Sequence, residues 1–260
     1  MASRVRVLGS GKSHKNDPND ARSVAIAALR HPGLVTVVVD DHTRVLGLLA
    51  KRHRDVARLK NKPACCLHAL LAELSAGGLA SKMTVNKANS LLESVEATDG
   101  ATRQRIVTAT ELVDDIARFE TQMRPSKKRI GTAVVASDTS LCDIRGIGPI
   151  DAAVILSSVG DINRFPTKSH FASYNATAPI DASSGNHKRH RLNPTGNRKL
   201  NHALHIATVS QLRYPCKGRH YYHKKLAEGK TGKEAIRALK RPISDVVYRQ
   251  LRTDARRIIS

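Results

Sequence analysis

Leu141-Cys142-Asp143-Ile144-Arg145-Gly146-Ile147-Gly148-Pro149-Ile150-Asp151-Ala152-Ala153-Val154-Ile155-Leu156 is the stretch on which the fold turns. A short apolar segment runs into Gly-Ile-Gly-Pro, and an alanine-rich apolar run follows. Proline suits the first turn of a helix, where an N–H has no helical partner anyway. Glycine permits the sharp backbone turn that has to precede it. The pattern has the form of a helix-hairpin-helix. Such a hairpin serves either as a tight structural turn or as a contact to nucleic-acid backbone. In the second use, Gly146 and Gly148 let the main chain approach a phosphate, and the N–H groups opening the next helix point at it. That contact carries no base specificity.

Helical periodicity extends on both sides of the hairpin. Upstream, Asp41–Leu74 places Val45, Leu48, Leu49, Val56, Leu59, Leu67, Leu70, Leu71 and Leu74 at three- and four-residue steps. Pro63 predicts a kink or break in that helix, and Gly77-Gly78 its end. Val85–Val95 reads as a shorter amphipathic helix. Ala101–Ala136 reads as a long one, with Ile106, Ala109, Val113, Ile116, Met123, Ile130 and Val134 near heptad spacing and Pro125 interrupting it. Two long helices with narrow apolar stripes predict an antiparallel or intermolecular coiled coil that serves spacing and oligomerisation. Downstream, Leu200, Ala203, Leu204 and Ala207 mark one helix. Ala235, Ala238, Leu239, Ile243, Val246, Val247 and Leu251 mark another, across which Pro242 falls.

The N-terminal region reads differently. Val5–Leu8 and the β-branched run Leu34–Val39 are short strand candidates, separated by a helix over Ala21–Leu29. Asp17 or a neighbour caps that helix and Pro18 lies in its first turn. Asp17 and Asp20 are three residues apart and can project from one side. They are either capping acids near the positive helix end or a pair of metal-binding carboxylates.

Charge narrows the function. Over 260 residues, 44 Lys and Arg against 22 Asp and Glu leave a formal net charge of +22. Such a surface repels itself unless a polyanion is present, so nucleic acid is the expected partner. From residue 186 to the end there are 19 Lys and Arg against 4 Asp and Glu, so most of the excess sits in a region that also carries regular apolar positions. Aromatic residues make up 3%, with no Trp, too few for base-stacking platforms. Contact to the backbone of double-stranded DNA is the better fit. No run of about 18 apolar residues and no signal peptide is present, so a membrane is not expected and cytoplasmic localisation is.

Cys65, Cys66, Cys142 and Cys216 fit neither a zinc pattern nor a disulfide framework, and are expected to be reduced and mostly structural. The histidine pairs His187/His190, His202/His205 and His220/His223 have the spacing of helix-face neighbours. Without accompanying Cys or carboxylate pairs, they suit phosphate contacts better than zinc.

Ser183-Ser184-Gly185-Asn186-His187-Lys188-Arg189-His190-Arg191 sets two hydroxyls among cations. The stretch is either a basic loop touching backbone or the site of a nucleophile. A hydroxyl attacking a phosphodiester needs neighbouring positive charge to screen the approach and stabilise the rearranging phosphate.

The succession of blocks from the hairpin to the end carries a resemblance. Gly146–Pro149, Gly160–Phe165 (G-D-I-N-R-F), His170–Tyr174 (H-F-A-S-Y), Ala178–Gly185 (A-P-I-D-A-S-S-G), Gly196–His205 (G-N-R-K-L-N-H-A-L-H), Gly218–Tyr222 (G-R-H-Y-Y), Lys233–Arg241 and Ser244–Arg249 follow in order. This order closely resembles the C-terminal domain of the insertion sequence 110 family of transposases. Lys15–Ala25 (K-N-D-P-N-D-A-R-S-V-A) looks like the end of that family's RuvC-like nuclease domain. The middle helices resemble its coiled-coil region loosely.

The resemblance implies a mainly α chain in three parts. Residues 1–43 would be the C-terminal remnant of an RNase H-like (RuvC-like) α/β domain. Residues 44–136 would be a helical coiled-coil region, and 137–260 an all-α transposase domain with the helix-hairpin-helix. It implies RNA-guided recombination by DEDD enzymes. In these, four acids bind Mg2+, a C-terminal serine forms a covalent link to DNA, and a tetramer exchanges strands. Carried over, Asp17 and Asp20 are the last two acids, and Ser184 is the nucleophile with Ser183 as the alternative. Lys188, Arg189, Arg191, Asn197 and Arg198 contact phosphate. Residues 1–16 contain no Asp or Glu, so the resemblance places the first two acids upstream of Met1. The expected protein is then either a transposase with an N-terminal truncation or a DNA-binding remnant without catalysis.

Overall fold

A computed structural model describes residues 17–30, 42–79, 82–181, 190–191, 193 and 195–259. The strand candidates Val5–Leu8 and Leu34–Val39 lie outside the described residues. The chain divides into a unit ending at Asp41 and a larger unit from His42 to Ser260. In the first, α1 spans Asp17–Arg30. Asp17 opens this helix, and Asp20, in the same first turn, is exposed.

The larger unit begins with α2, His42–Leu74. The short α3, Val85–Glu93, follows, and Thr84 Oγ1 accepts the Lys87 N–H to cap it. The long α4, Gly100–Val135, starts where Asp99 accepts the Thr102 N–H at 2.8 Å. Cross-links between α2 and α4 fix their orientation. Arg105 pairs with Glu73 at 2.9 Å, Lys60 with Glu120 at 3.2 Å, and the Arg52 guanidinium donates to Gln122 at 3.4 Å. As numbers rise along α2 their partners' numbers fall along α4, so the two helices pair antiparallel within one chain.

Two expectations are corrected along this pair. Pro63 and Pro125 neither break nor interrupt their helices, which run continuously through both. A helix-interior proline costs about 3 kcal/mol. Here the packing of α2 on α4, with Pro63 itself buried, outweighs that local preference. The apolar stripe of α2 is also rotated from its expected phase. Leu46, Ala50, His53 and Val56 face inward, while Val45, Leu48 and Leu59 are exposed. Apolar residues occupy both faces of this half of the helix, so spacing alone does not choose between them.

The pair carries a core at each end. Leu67 and Leu71 of α2, Ala88 and Leu92 of α3, and Ala109, Val113 and Ile116 of α4 form the smaller one. Leu46, Ala50, Ile130 and Val134 instead join the C-terminal core. Between the two ends, His53 Nδ1 lies 3.3 Å from Ser126 Oγ, both buried. Burial, and secondarily the Lys127 charge, lowers the His53 pKa.

The C-terminal part comprises a 3-10 turn at Leu141–Asp143, α5 (Pro149–Val159), a second 3-10 turn at Ile162–Arg164 and α6 (Lys168–Tyr174). Then come β1 (Ile180–Asp181), β2 (His190–Arg191), α7 (Arg198–Leu212), α8 (Lys217–Ala227) and α9 (Gly232–Ile259). The architecture is mainly α. The region expected to be all-α also contains one antiparallel strand pair, Ile180 opposite Arg191 and Asp181 opposite His190. Pro242 likewise leaves α9 uninterrupted. Phe171, Leu200, Leu204, Ile155, Leu239 and Val247 fill the core.

All four cysteines are free. Cys65, Cys66 and Cys142 are exposed, and Cys216 is partly buried. Among the described residues, no helix is long and apolar enough to cross a membrane.

Candidate nucleic-acid interface

The Gly-Ile-Gly-Pro hairpin is built by its packing on α7. Ile147 N–H donates to the Ile144 carbonyl at 3.0 Å, closing a tight turn around Gly146, whose φ is +91°. A Cβ at Gly146 would lie 2.6 Å from the Ala207 carbonyl oxygen and 3.3 Å from Ser210 Cβ. Glycine is therefore required here by the close approach of α7. The Gln211 side chain adds a bond from its amide to the Arg145 carbonyl, 2.8 Å. Gly148 differs. It is extended, at φ −94° and ψ 174°, it caps α5 without a side chain, and open space surrounds the position a Cβ would take. Of the two glycines, only Gly148 faces a free approach, at a helix start whose first N–H groups have no partner within the helix. Arg145 is exposed beside it, with its guanidinium 6.0 Å from the Tyr214 ring.

Asp151, in the first turn of α5, works against an anion at that terminus when ionised. Burial raises its pKa to about 6, although a helix start ordinarily favours the carboxylate. Desolvation is the larger effect at this position.

The serine-bearing segment leaves and re-enters the fold at one place. Ser183, Ser184, Lys188 and Arg189 lie outside the described residues, between β1 and β2, and of Arg191 the backbone is described, in β2. Tyr174, at the end of α6, is held from several sides. Its hydroxyl donates to the Ser158 carbonyl at 2.8 Å, and its ring and that of Phe165 each lie 4.6 Å from the Arg164 guanidinium. On the return side, Asn193 donates to the Ser173 carbonyl at 3.2 Å, and Asn197 N–H donates to the Tyr174 carbonyl at 2.7 Å. Gly196 fits where a Cβ would meet Ala176 Cβ at 2.6 Å.

The Asn197 side chain is engaged within the fold. Its side-chain oxygen accepts the Leu200 N–H at 3.0 Å, capping α7, while its amide donates to Tyr174 Oη at 2.9 Å. Arg198 and Lys199 follow, both exposed, in a first turn without an acid. Cations at a helix start add to its positive end and favour an anion there.

Asp17 and Asp20 share the first turn of α1. Among the described residues, no group of three or more His, Cys, Asp or Glu is placed to hold a metal. Two carboxylates are half of the four acids that the resemblance assigns to a magnesium site.

A polar network without a periodic sequence signature joins the end of α6 to α7 and α9. Asn175, fully buried, donates to Ser244 Oγ of α9 at 2.7 Å and accepts from Thr177 Oγ1 at 2.7 Å. Its carbonyl accepts from Asn201 of α7 at 2.8 Å, and Asn201 Oδ1 in turn accepts from Lys240 Nζ of α9 at 2.9 Å. The one available sign was an Asn following the H-F-A-S-Y block.

A family model for the transposase of the IS116/IS110/IS902 family matches residues 138–223, which span the hairpin, the strand pair, α7 and most of α8. The chain belongs to this family. Among curated relatives, an uncharacterized 43.6 kDa protein of insertion element IS110 from Streptomyces coelicolor is 32% identical over 149 residues, covering 56% of this chain and 37% of that protein. A probable family 20 transposase from Pseudomonas aeruginosa is 30% identical over 186 residues, 68% of this chain and 53% of that protein. An uncharacterized 44.8 kDa protein of insertion element IS116 from Streptomyces clavuligerus is 26% identical over 171 residues, 61% and 43% respectively. The matched regions thus span from 37% to 53% of the length of these relatives.

Proposed function

We propose that this chain supplies the DNA-binding, serine-bearing part of an insertion-sequence transposase. The observation that carries the reading is the strand pair that flanks Ser183 and Ser184, tied at its base to the basic first turn of α7. In the proposed reaction the Ser184 hydroxyl oxygen bonds to phosphorus as one P–O bond of the strand breaks, and the departing oxygen takes a proton. Cations on the loop and at the α7 start lower the cost of the charge that builds up. The helix-hairpin-helix presents Gly148 and the start of α5 to the backbone of double-stranded DNA. A structured guide RNA and a homo-oligomer, dimer to tetramer, are further expectations carried by the resemblance. The exposed Val45, Leu48 and Leu59 on α2 supply apolar surface for a second copy.

A second reading is a DNA-binding protein without catalysis, favoured by the absence of a gathered metal-ligand group among the described residues. The two are separated by incubating the chain with duplex DNA from the element's ends, with Mg2+, and looking for adducts that survive denaturation. Adducts lost in Ser184→Ala with binding retained support the first reading. Adducts that persist in Ser184→Ala but vanish in Ser183→Ala move the nucleophile to Ser183. Salt-sensitive binding without any adduct supports the second reading.

A further inference from the structure

Lys240 of α9 is half-buried, and its ammonium group donates to a neutral acceptor, Asn201 Oδ1, at 2.9 Å. Among the described residues no carboxylate pairs with it. A guanidinium and two imidazoles stand around it. Arg237 lies one turn back on α9, and His202 and His205 lie on α7 beside Asn201. The nearby acids are engaged elsewhere. Asp245 pairs with Arg241 at 3.3 Å and with Lys168 at 3.9 Å, and Glu234 accepts from Thr231, with Arg237 also in its field. Burial first, then the Arg237 charge, lowers the Lys240 pKa. Burial first, then Lys240 and His202, lowers that of His205. A cluster of like charges that repel one another within a fold is stabilised by an anion among them.

Its location gives the anion an identity. Asn201, which holds Lys240, also donates to the Asn175 carbonyl, five residues before β1. It lies one turn along α7 from Asn197, which anchors the chain returning from β2. The cluster is therefore built into the base of the segment that carries the serines.

We propose that Lys240, Arg237, His202 and His205 form a binding site for one backbone phosphate of duplex DNA, beside the serine-bearing segment. The inference rests on the transposase reading above and names a contact of that same surface. The site holds the strand by its phosphate, independent of sequence, while Asn201 orients the ammonium group.

The test measures affinity of the full chain for a fluorescent duplex across a salt series. Arg237→Gln and Lys240→Gln are each compared with Lys51→Gln, an exposed lysine on α2. The expected result is a roughly tenfold loss of affinity and a drop of about 0.9 in the slope of log K against log salt for each cluster variant, one phosphate's worth. Lys51→Gln should leave both unchanged. Arg237 is exposed, so its replacement reads the site even where Lys240→Gln lowers the melting temperature. A steep salt dependence in the parent chain with both cluster variants unchanged overturns this site and leaves the transposase reading standing. Cluster-dependent binding of single-stranded RNA with none of duplex DNA overturns the assigned occupant. Failure of the parent chain to bind duplex DNA at all overturns both.

Discussion

Gly146→Ala and Gly148→Ala should separate stability from DNA contact within one four-residue hairpin. At Gly146 an alanine has to adopt φ +91°, and its methyl group would sit 2.6 Å from a helix-backbone carbonyl. The left-handed conformation costs about 1–2 kcal/mol. Overpacking against rigid backbone adds about 1–3 kcal/mol. The total of roughly 2–5 kcal/mol corresponds to a fall in melting temperature of roughly 4–20 °C for a unit of this size. At Gly148 the backbone suits any residue and the space is open. Replacing a glycine N-cap with alanine costs about 1 kcal/mol or less. Calorimetry of the two variants should therefore show a large drop for Gly146→Ala and a small one for Gly148→Ala. Duplex affinity measured well below both transitions should show the reverse, because only the Gly148 methyl group would stand between the α5 start and a phosphate. A Gly146→Ala protein melting within about 1 °C of the parent would refute the packing of this hairpin on α7.

Asp254→Ala should destabilise the chain by about 3 kcal/mol, seen as a melting shift of roughly 6–12 °C. The buried Asp254 carboxylate accepts from Ser140 N–H at 3.0 Å, Thr139 Oγ1 at 3.1 Å and Ser140 Oγ, pinning the entry to the hairpin against α9. Asp151 gives a pH signature. Its folded pKa of about 6 stands above its ordinary value of 3.8, so its favourable contribution is complete below that value and lost as pH rises through 6. Asp151→Asn should therefore match the parent in melting temperature near pH 4 and exceed it at pH 8. Equal melting curves at both pH values would contradict the burial of this carboxyl.

The long helices and the hairpin were legible because their signals are local. Pro149 beside Gly148 marks a helix start, and three- and four-residue apolar spacing marks the long helices, whatever the rest of the chain does. The breaks expected at Pro63 and Pro125 fail for the same reason. Their cost is local, whereas what outweighs it is packing between segments 60 to 73 residues apart, as in the Lys60–Glu120 and His53–Ser126 contacts. The phase of α2 was hidden because Leu48 and Leu49 stand side by side, and only the helices packed on α2 decide that Leu48 is exposed while Leu49 packs on the core. The Asn175–Asn201–Lys240 chain joins three elements through side chains with no sequence periodicity. Block order indicated that this region was functional, but not which polar residues there hold the fold and which are left free.

That division bears on how the serine-bearing segment is held. Hydrophobic packing alone would leave the exit from α6 and the entry to α7 free to slide, since apolar contacts have no direction. Buried hydrogen bonds do have direction, and leaving one unmade costs about 1–3 kcal/mol. Asn175 is fully buried and bonded to Ser244, Thr177 and Asn201, so the departing chain has one satisfied arrangement. Asn193, Gly196 and Asn197 do the same for the returning chain against Ser173, Tyr174 and Ala176. Both ends of the segment are thus fixed to α7, the helix whose first turn carries Arg198 and Lys199. Its next turn carries His202 and His205, and a phosphate held by these groups would be positioned relative to the same rigid element as the hydroxyl proposed to attack it. A nucleophile on a loop gains accuracy in this way when the loop's two ends and the substrate's anchor share one helix.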